Sequence, residues 1–317
     1  MRAAAYTGAG SAAEVVSIQE IATPEPGPGE VLVKVAAAGL NPVDVKIRAA
    51  GHDFGAIRYS AHPGWDVAGT VVAAGEGVQE WSAGDRVFAL AAFPEAAHTL
   101  AEYAVVPATD LAAPPRRWTA AQAGAAPLAA LTAWQALDAA GIGDRAEGRR
   151  VLVLGGAGGV GHLAVQLAAS RGAHVIATAS PAKSALVAGW GAAEVVDYRD
   201  KAALSAIGPV DAVIVTVDGA PPHGAIGQGT AVVTITGLSK EQEERLREAG
   251  ADPVTRILVS ADGAQLARIA ALADAGALTV HLDATYPLDE LAAAQERVET
   301  GRVTGKVVVL VDADADA

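Results

Sequence analysis

Residues 151–169 read VLVLGGAGGVGHLAVQLAA, and the interpretation of this stretch decides the fold. Residues 151–154 form a short apolar run bounded by turn residues, the pattern of a strand buried on both faces of a parallel sheet. In the glycine cluster that follows, Gly156, Gly158 and Gly161 keep the G-x-G-x-x-G spacing of a dinucleotide-binding turn. The first glycine of such a turn permits the tight bend, and the second lets a pyrophosphate approach the backbone. The third lets the next helix pack against the strand. Val160, Leu163, Ala164, Leu167 and Ala168 then recur at helical spacing, so a helix N-terminus directs its free N–H groups at the phosphates. In a chain with 35 glycines the spacing alone is weak, and any Gly/Ala-rich turn would match it. The strand before it and the amphipathic helix after it make the assignment. Gly156, Ala157, Gly158, Gly159, Val160 and Gly161 are therefore the candidate phosphate cradle.

The chain around this stretch has 317 residues, too many for one comfortable core and suited to two domains. No apolar run reaches the eighteen or so residues of a membrane span. The N-terminal MRAAAYTGAG carries one arginine and no apolar segment, so no secretory signal is expected and a cytoplasmic location is. Cysteine is absent, which removes disulfides and thiolate metal ligands. A net charge of −13 argues against nucleic acid as a partner, because phosphate backbones need clustered Lys and Arg. Between Glu147 and Glu194 there is no acid, whereas Arg149, Arg150, Arg171 and Lys183 lie there. A buried sheet explains the missing acids but not the retained bases, so the gap is expected to serve a phosphate.

Residues 2–110 read as all-β, with strands at 30–36, 68–73 and 86–90 between Gly/Pro turns. Residues 120–140 form one alanine-rich helical segment stopped by Gly141 and Gly143. Strands at 151–154, 174–179, 212–217 and 231–236 alternate with helices or turns, the signature of a parallel sheet. A charged helix at 241–249, a segment at 254–260, a helix at 263–275 and strands at 278–282 and 306–311 close the chain. Residues 312–317 are an acidic tail expected to fray.

Six segments together resemble one family: GLNPVD from Gly39 to Asp44, PGWDVAG from Pro63 to Gly69, GDRV from Gly84 to Val87, LTAW from Leu131 to Trp134, GGVG from Gly158 to Gly161, and GKVV from Gly305 to Val308. They look like the zinc-independent quinone oxidoreductase (zeta-crystallin-like) group of the medium-chain dehydrogenase/reductase superfamily. The resemblance implies an α/β protein with a GroES-like β-rich catalytic domain and a Rossmann doubly wound parallel-sheet domain. The catalytic domain would take residues 1–121 and 256–317, and the nucleotide domain residues 122–255. It also implies a homodimer, paired through residues 231–236 as the apolar end of the Rossmann sheet.

Where the zinc-dependent branch has a cysteine ligand, this chain has Asn41. His52, His62 and Asp66 fall within fifteen residues, but scattered loop histidines more often serve as polar loop residues, and no metal is expected. An NAD-selective site would carry an acid about twenty residues past the glycine turn. Here the chain reads IATAS from Ile176 to Ser180, without charge. Ser180 and Lys183 suit a 2′-phosphate, and Tyr198 resembles the family tyrosine beside it, so NADPH is the expected cofactor. Arg199 has less support.

Asn41 and Thr132 resemble residues lining the nicotinamide end. An Asn41 amide can donate to an enone or quinone oxygen as hydride arrives, or it can simply make an Asx turn before Pro42. Asp44 is expected to orient this loop. Phe54, Tyr59 and Trp65 either wall a slot for a planar substrate or core the small domain. Relatives carry a tyrosine where this chain has His52-Asp53-Phe54, which leaves Tyr59 or solvent as proton donor. The expected activity is NADPH-dependent reduction of a quinone or of a conjugated C=C bond. Two alternatives remain open at this level: an accessory enoyl reductase on a carrier-tethered substrate, and a non-catalytic NADPH-binding or redox-sensing protein.

Overall fold

The structure, a computed structural model, describes residues 1–312. It divides into two compact units, Met1–Leu131 with Ser260–Ala317, and Thr132–Val259.

The first unit opens with β1 (Arg2–Tyr6), the one-turn α1 (Ala12–Val15) and β2 (Val16–Glu20), which pairs antiparallel with β1. The long strand β3 (Glu30–Leu40) leads directly into α2 (Pro42–Ala50), where Pro42 pre-sets the first helical turn. Strands β4 (Asp66–Ala74), β5 (Arg86–Leu90), β6 (Tyr103–Pro107) and β7 (Leu111–Ala112) follow, all antiparallel where they pair. The single helix expected over 120–140 is two, α3 (Ala120–Ala125) and α4 (Pro127–Ala139). Pro127 offers no N–H and disfavours helical backbone before it, so the chain bends there.

The second unit is a parallel sheet of β8 (Arg150–Leu154), β9 (His174–Ala179), β10 (Glu194–Asp197), β11 (Ala212–Val215), β12 (Thr230–Thr234) and β13 (Ala251–Arg256). Helices α5 (Gly161–Ser170), α6 (Ser184–Gly189), α7 (Lys201–Ala206) and α8 (Lys240–Glu248) connect them. The order β10-β9-β8-β11-β12-β13 reverses between β8 and β11, the switch point at which such sheets hold ligands. Two expectations are corrected here. Strand β10 escaped the sequence reading because its four residues begin with Glu194 and end with Asp197. The apolar strand near 231–236 is not the end of the sheet: β12 is fully buried, and β13 pairs beyond it. The edge strand is half-exposed and contains Pro253, which lacks a donor, so it does not look like a core strand in sequence.

The chain then returns to the first unit with α9 (Gly263–Asp274), β14 (Leu282–Pro287), α10 (Leu291–Glu299) and β15 (Lys306–Leu310). Strand β14 starts at Leu282, where the sequence reading ended its strand at 278–282. The seven-stranded sheet runs β14-β15-β3-β4-β5-β7, with β6 also paired to β3. Thus β15 is an interior strand, antiparallel to the end of β3, and Val307 faces Leu40 in register. The acidic tail beyond Asp312 lies outside the described residues. Among the described residues, no helix is long and apolar enough to cross a membrane.

Candidate functional site

The glycine turn between β8 and α5 is built as a cradle. Gly155, which the spacing argument passed over, makes the bend, with φ +79°. Thr178 on β9 fixes it, accepting from Gly155 N–H at its hydroxyl (2.9 Å) and from Gly156 N–H at its carbonyl (2.9 Å). A Cβ on Gly161 would lie 2.1 Å from the Gly155 carbonyl oxygen, so the helix can start this close only at a glycine. A Cβ on Gly158 would meet nothing nearer than 3.4 Å, which leaves open space over the middle of the turn. Gly156 is not the bend; its missing side chain avoids the Ala177 methyl, 2.8 Å from where a Cβ would sit. The amides of Ala157, Gly159 and Val160 find no acceptor among the described residues. Three unspent N–H donors at the N-terminus of a ten-residue helix suit a pyrophosphate.

At the end of β9 no carboxylate waits for a ribose hydroxyl. Ser180 begins the short 3-10 turn Pro181–Lys183 without capping it, and Lys183 ends that turn half-buried. Tyr198 is 56% exposed just past β10. Arg199 is committed to Asp197 through two bonds of 3.0 Å, which hold the Asp197 carboxyl below its usual range. The acid-free window is thus partly architectural. Arg149 pairs with Asp211 at 3.3 Å. Buried Arg171 bonds Asp138 at 2.9 Å and lies 4.5 Å over the Trp134 ring. Lys183 is the base of the set placed beside Ser180.

The first unit holds a different kind of centre. Asn41 (2% exposed), Asp44 (0%), Asp66 (0%) and Lys306 (3%) meet at the junction of β3, α2, β4 and β15. Asn41 Nδ2 donates to Asp66 Oδ2 at 2.9 Å. Lys306 Nζ donates to Asn41 Oδ1 and lies 3.4 Å from Asp66 Oδ2. Asp66 Oδ1 also accepts from Leu128 N–H at 2.6 Å. Gly39 makes room, since a Cβ there would sit 2.8 Å from Asp66 Oδ2 and 2.8 Å from the Gly124 carbonyl.

Asp44 accepts from Asn41 N–H at 2.8 Å through Oδ2, closing the first turn of α2, while its Oδ1 is buried without a partner. Burial pushes the Asp44 carboxyl up to about 7, helped by the neighbouring Asp66 charge. Asp66 is raised by burial too, with Lys306 opposing. Two carboxyls share one ammonium here, so a proton on Asp44 leaves a neutral Asp66–Lys306 pair.

Other sequence candidates are dispersed. Tyr59 is half-buried, its N–H donating to Asp53 at 2.8 Å. Trp65 is buried edge-on against Phe93 with its Nε1 bonded to Glu95, whereas Phe54 is exposed. No ring contact joins Phe54, Tyr59 and Trp65 among the described residues. His62 bonds the Ala4 carbonyl and His52 the Asp53 carbonyl. Among the described residues no three His, Asp or Glu come together as a metal-binding group. Thr132 is buried in α4 at the start of the second unit. Lys306 was assigned no role from sequence, although it stands alone before the apolar run VVVL.

A β-rich unit joined to a six-stranded parallel sheet with a glycine cradle defines a two-domain, dinucleotide-dependent oxidoreductase. Comparison with known proteins agrees. Residues 27–116 match the alcohol dehydrogenase GroES-like domain, and residues 190–309 match the family described as zinc-binding dehydrogenase. The chain is 34% identical over 320 residues to the 2-methylene-furan-3-one reductase of Solanum lycopersicum, covering 98% of this chain and 79% of that protein. It is 33% identical to the chloroplastic NADPH-dependent alkenal/one oxidoreductase of Arabidopsis thaliana, again over 98% and 79%. The quinone oxidoreductase structure from Coxiella burnetii superposes with a TM-score of 0.85 at 30% identity, covering 98% and 99%. The chain belongs to the medium-chain dehydrogenase/reductase superfamily, and its relatives include a quinone oxidoreductase and an NADPH-dependent alkenal/one oxidoreductase.

Proposed function

We propose that the protein reduces the conjugated C=C bond of an enone, or a quinone, with NADPH and without zinc. The observation that carries this reading is the clamped amide of Asn41, whose second Nδ2–H has no partner among the described residues. A neutral amide donor suits an oxygen that gains charge through conjugation, and one such donor is worth about 3–4 kcal/mol in the transition state. A simple ketone would gain a full alkoxide charge, for which metal polarisation is the usual remedy. Asp66, the carboxylate beside Asn41, is already engaged by Lys306 and by an amide, and the chain has no cysteine.

When bound, NADPH supplies the hydride. Ser180, Lys183 and exposed Tyr198 would hold its 2′-phosphate, the turn amides its pyrophosphate, and Thr132 would line the nicotinamide end. Tyr59 or solvent returns the proton to carbon. The relatives named as alkenal/one and 2-methylene-furan-3-one reductases support the enone class. The test offers one molecule carrying both an isolated ketone and an enone, with NADPH, and follows products by mass and NMR. Saturation of the C=C bond is expected; alcohol formation first would sink the reading, as would a stoichiometric zinc lost together with activity.

We also propose a two-fold homodimer, its sheet continued through the edge strand β13 rather than through β12. Light scattering at micromolar concentration should give about twice the 31.7 kDa chain mass; the chain mass itself would remove the idea.

A further inference from the structure

Asn41 is the only asparagine in the chain, and Lys306 the only buried one of its six lysines. The two are 265 residues apart, and the register of β15 on β3 brings them together. An asparagine amide can normally be turned end for end, its two ends being of nearly equal shape. Here the turned orientation would put NH2 against an ammonium and the carbonyl against a carboxylate, two repulsions among buried side chains. One orientation survives: carbonyl to Lys306, NH2 to Asp66. A charged donor on the carbonyl also draws electrons from the amide nitrogen, so its remaining N–H becomes a stronger donor, an effect amplified where water is excluded.

A salt bridge alone would need only Lys306 and Asp66. Lys306 Nζ instead donates to Asn41 Oδ1 and sits at 3.4 Å, the long limit of a hydrogen bond, from Asp66. We propose that Lys306 is a positioning residue that orients and polarises the Asn41 amide, so that its free Nδ2–H is aimed and strengthened for the oxygen of the substrate carbonyl. Asp66 neutralises the ammonium and receives the other N–H. The inference rests on the enone/quinone reading above and adds to it where the donor strength of a neutral amide comes from.

The test uses full-length protein with NADPH and 2-cyclohexenone. Removing Lys306 alone strands a buried carboxylate, so the informative variant is the neutral pair Asp66→Asn/Lys306→Met, compared with Lys306→Arg and Asn41→Ala. The neutral pair should lower kcat 10-fold or more while the NADPH dissociation constant, read by cofactor fluorescence, stays within twofold. Lys306→Arg, which keeps the charge, should recover most of kcat. Adding Asn41→Ala to the neutral pair should cost far less than Asn41→Ala costs the wild type, because the amide is no longer driven.

Asparagine labelled with 15N gives a single side-chain NH2 signal in this chain, so wild type alone supplies a second readout. The proton donated to Asp66 should be shifted from its free-amide position and exchange slowly with water. Wild-type kcat in a folded neutral pair, or a free, fast-exchanging Asn41 amide in the wild type, overturns the role of Lys306. If Asn41→Ala itself leaves kcat unchanged, the enone/quinone reading fails first, whatever Lys306 does.

Discussion

The glycine turn of the second unit and the polar cluster of the first, the two proposed ligand sites, are built by opposite means. The turn spends backbone: residues 155–161 are contiguous, their donors are amides, and side chains matter there chiefly by the volume they lack. The cluster spends four side chains, from the cap and first turn of α2, from β4 and from β15, and each matters by its charge or its hydrogen bonds. A backbone site should therefore tolerate changes of chemistry and fail on changes of size. A side-chain site should fail on charge even where volume is kept.

The largest test of that contrast is Lys306→Met alone, which keeps volume and deletes charge. An uncompensated Asp66 at 0% exposure should cost about 3–5 kcal/mol in urea unfolding. A loss below 1 kcal/mol would show that the cluster is not governed by charge.

Asp44 gives the next effect. Its carboxyl is raised to about 7, so between about pH 4 and pH 7 the folded chain keeps a proton that the unfolded chain has released. Stability is then highest at the acid end of that window and declines as pH rises through it. At about 1.4 kcal/mol per unit, the contribution reaches at most about 4 kcal/mol. Asp44→Asn should flatten the profile in pH-dependent thermal unfolding; an unchanged slope would assign the proton elsewhere.

The turn is probed by size. Gly161→Ala adds one carbon 2.1 Å from a carbonyl oxygen and should weaken NADPH by about 3 kcal/mol or more, with the pH profile of unfolding retained. Gly158→Ala, in open space, should cost the apo fold about 0.5 kcal/mol or less. Equal apo destabilisation by the two substitutions would break the volume argument.

Lys183→Ala comes last. It should weaken NADPH by about 1–3 kcal/mol and leave NADH almost unchanged, as measured by titration. Equal losses for both cofactors would remove the 2′-phosphate role.

The contrast also explains what could be read in the sequence. The cradle is local, so spacing found Gly158, Gly161 and the helix, and erred only in giving the bend to Gly156 when the chain uses Gly155. The strands β5 and β9 were found to the residue, since each is a clean apolar run between turn signals. Strand β10 was hidden by its terminal acids, and the true edge β13 by Pro253 and its exposed residues. Asn41 and Asp44 were legible because they share one turn of α2. Their coupling to Lys306 was not, because only strand register, built from hydrogen bonds between distant segments, places residue 306 beside residue 41. The aromatic cluster Phe54, Tyr59 and Trp65 illustrates the converse: neighbours in sequence need not meet in space.

Strand β15 sits inside its sheet, between β14 and β3, although it is made almost last. As the chain leaves the ribosome, residues 132–259 emerge as one uninterrupted unit able to close at once. Residues 1–131 come out earlier yet must wait for residue 306 before the end of β3 gains β15 as a neighbour and Asp66 its counter-ion. The part of the enzyme translated first is thus the part completed second, and a nascent chain arrested before Lys306 should close its glycine turn before it can assemble the Asn41–Asp66–Lys306 cluster.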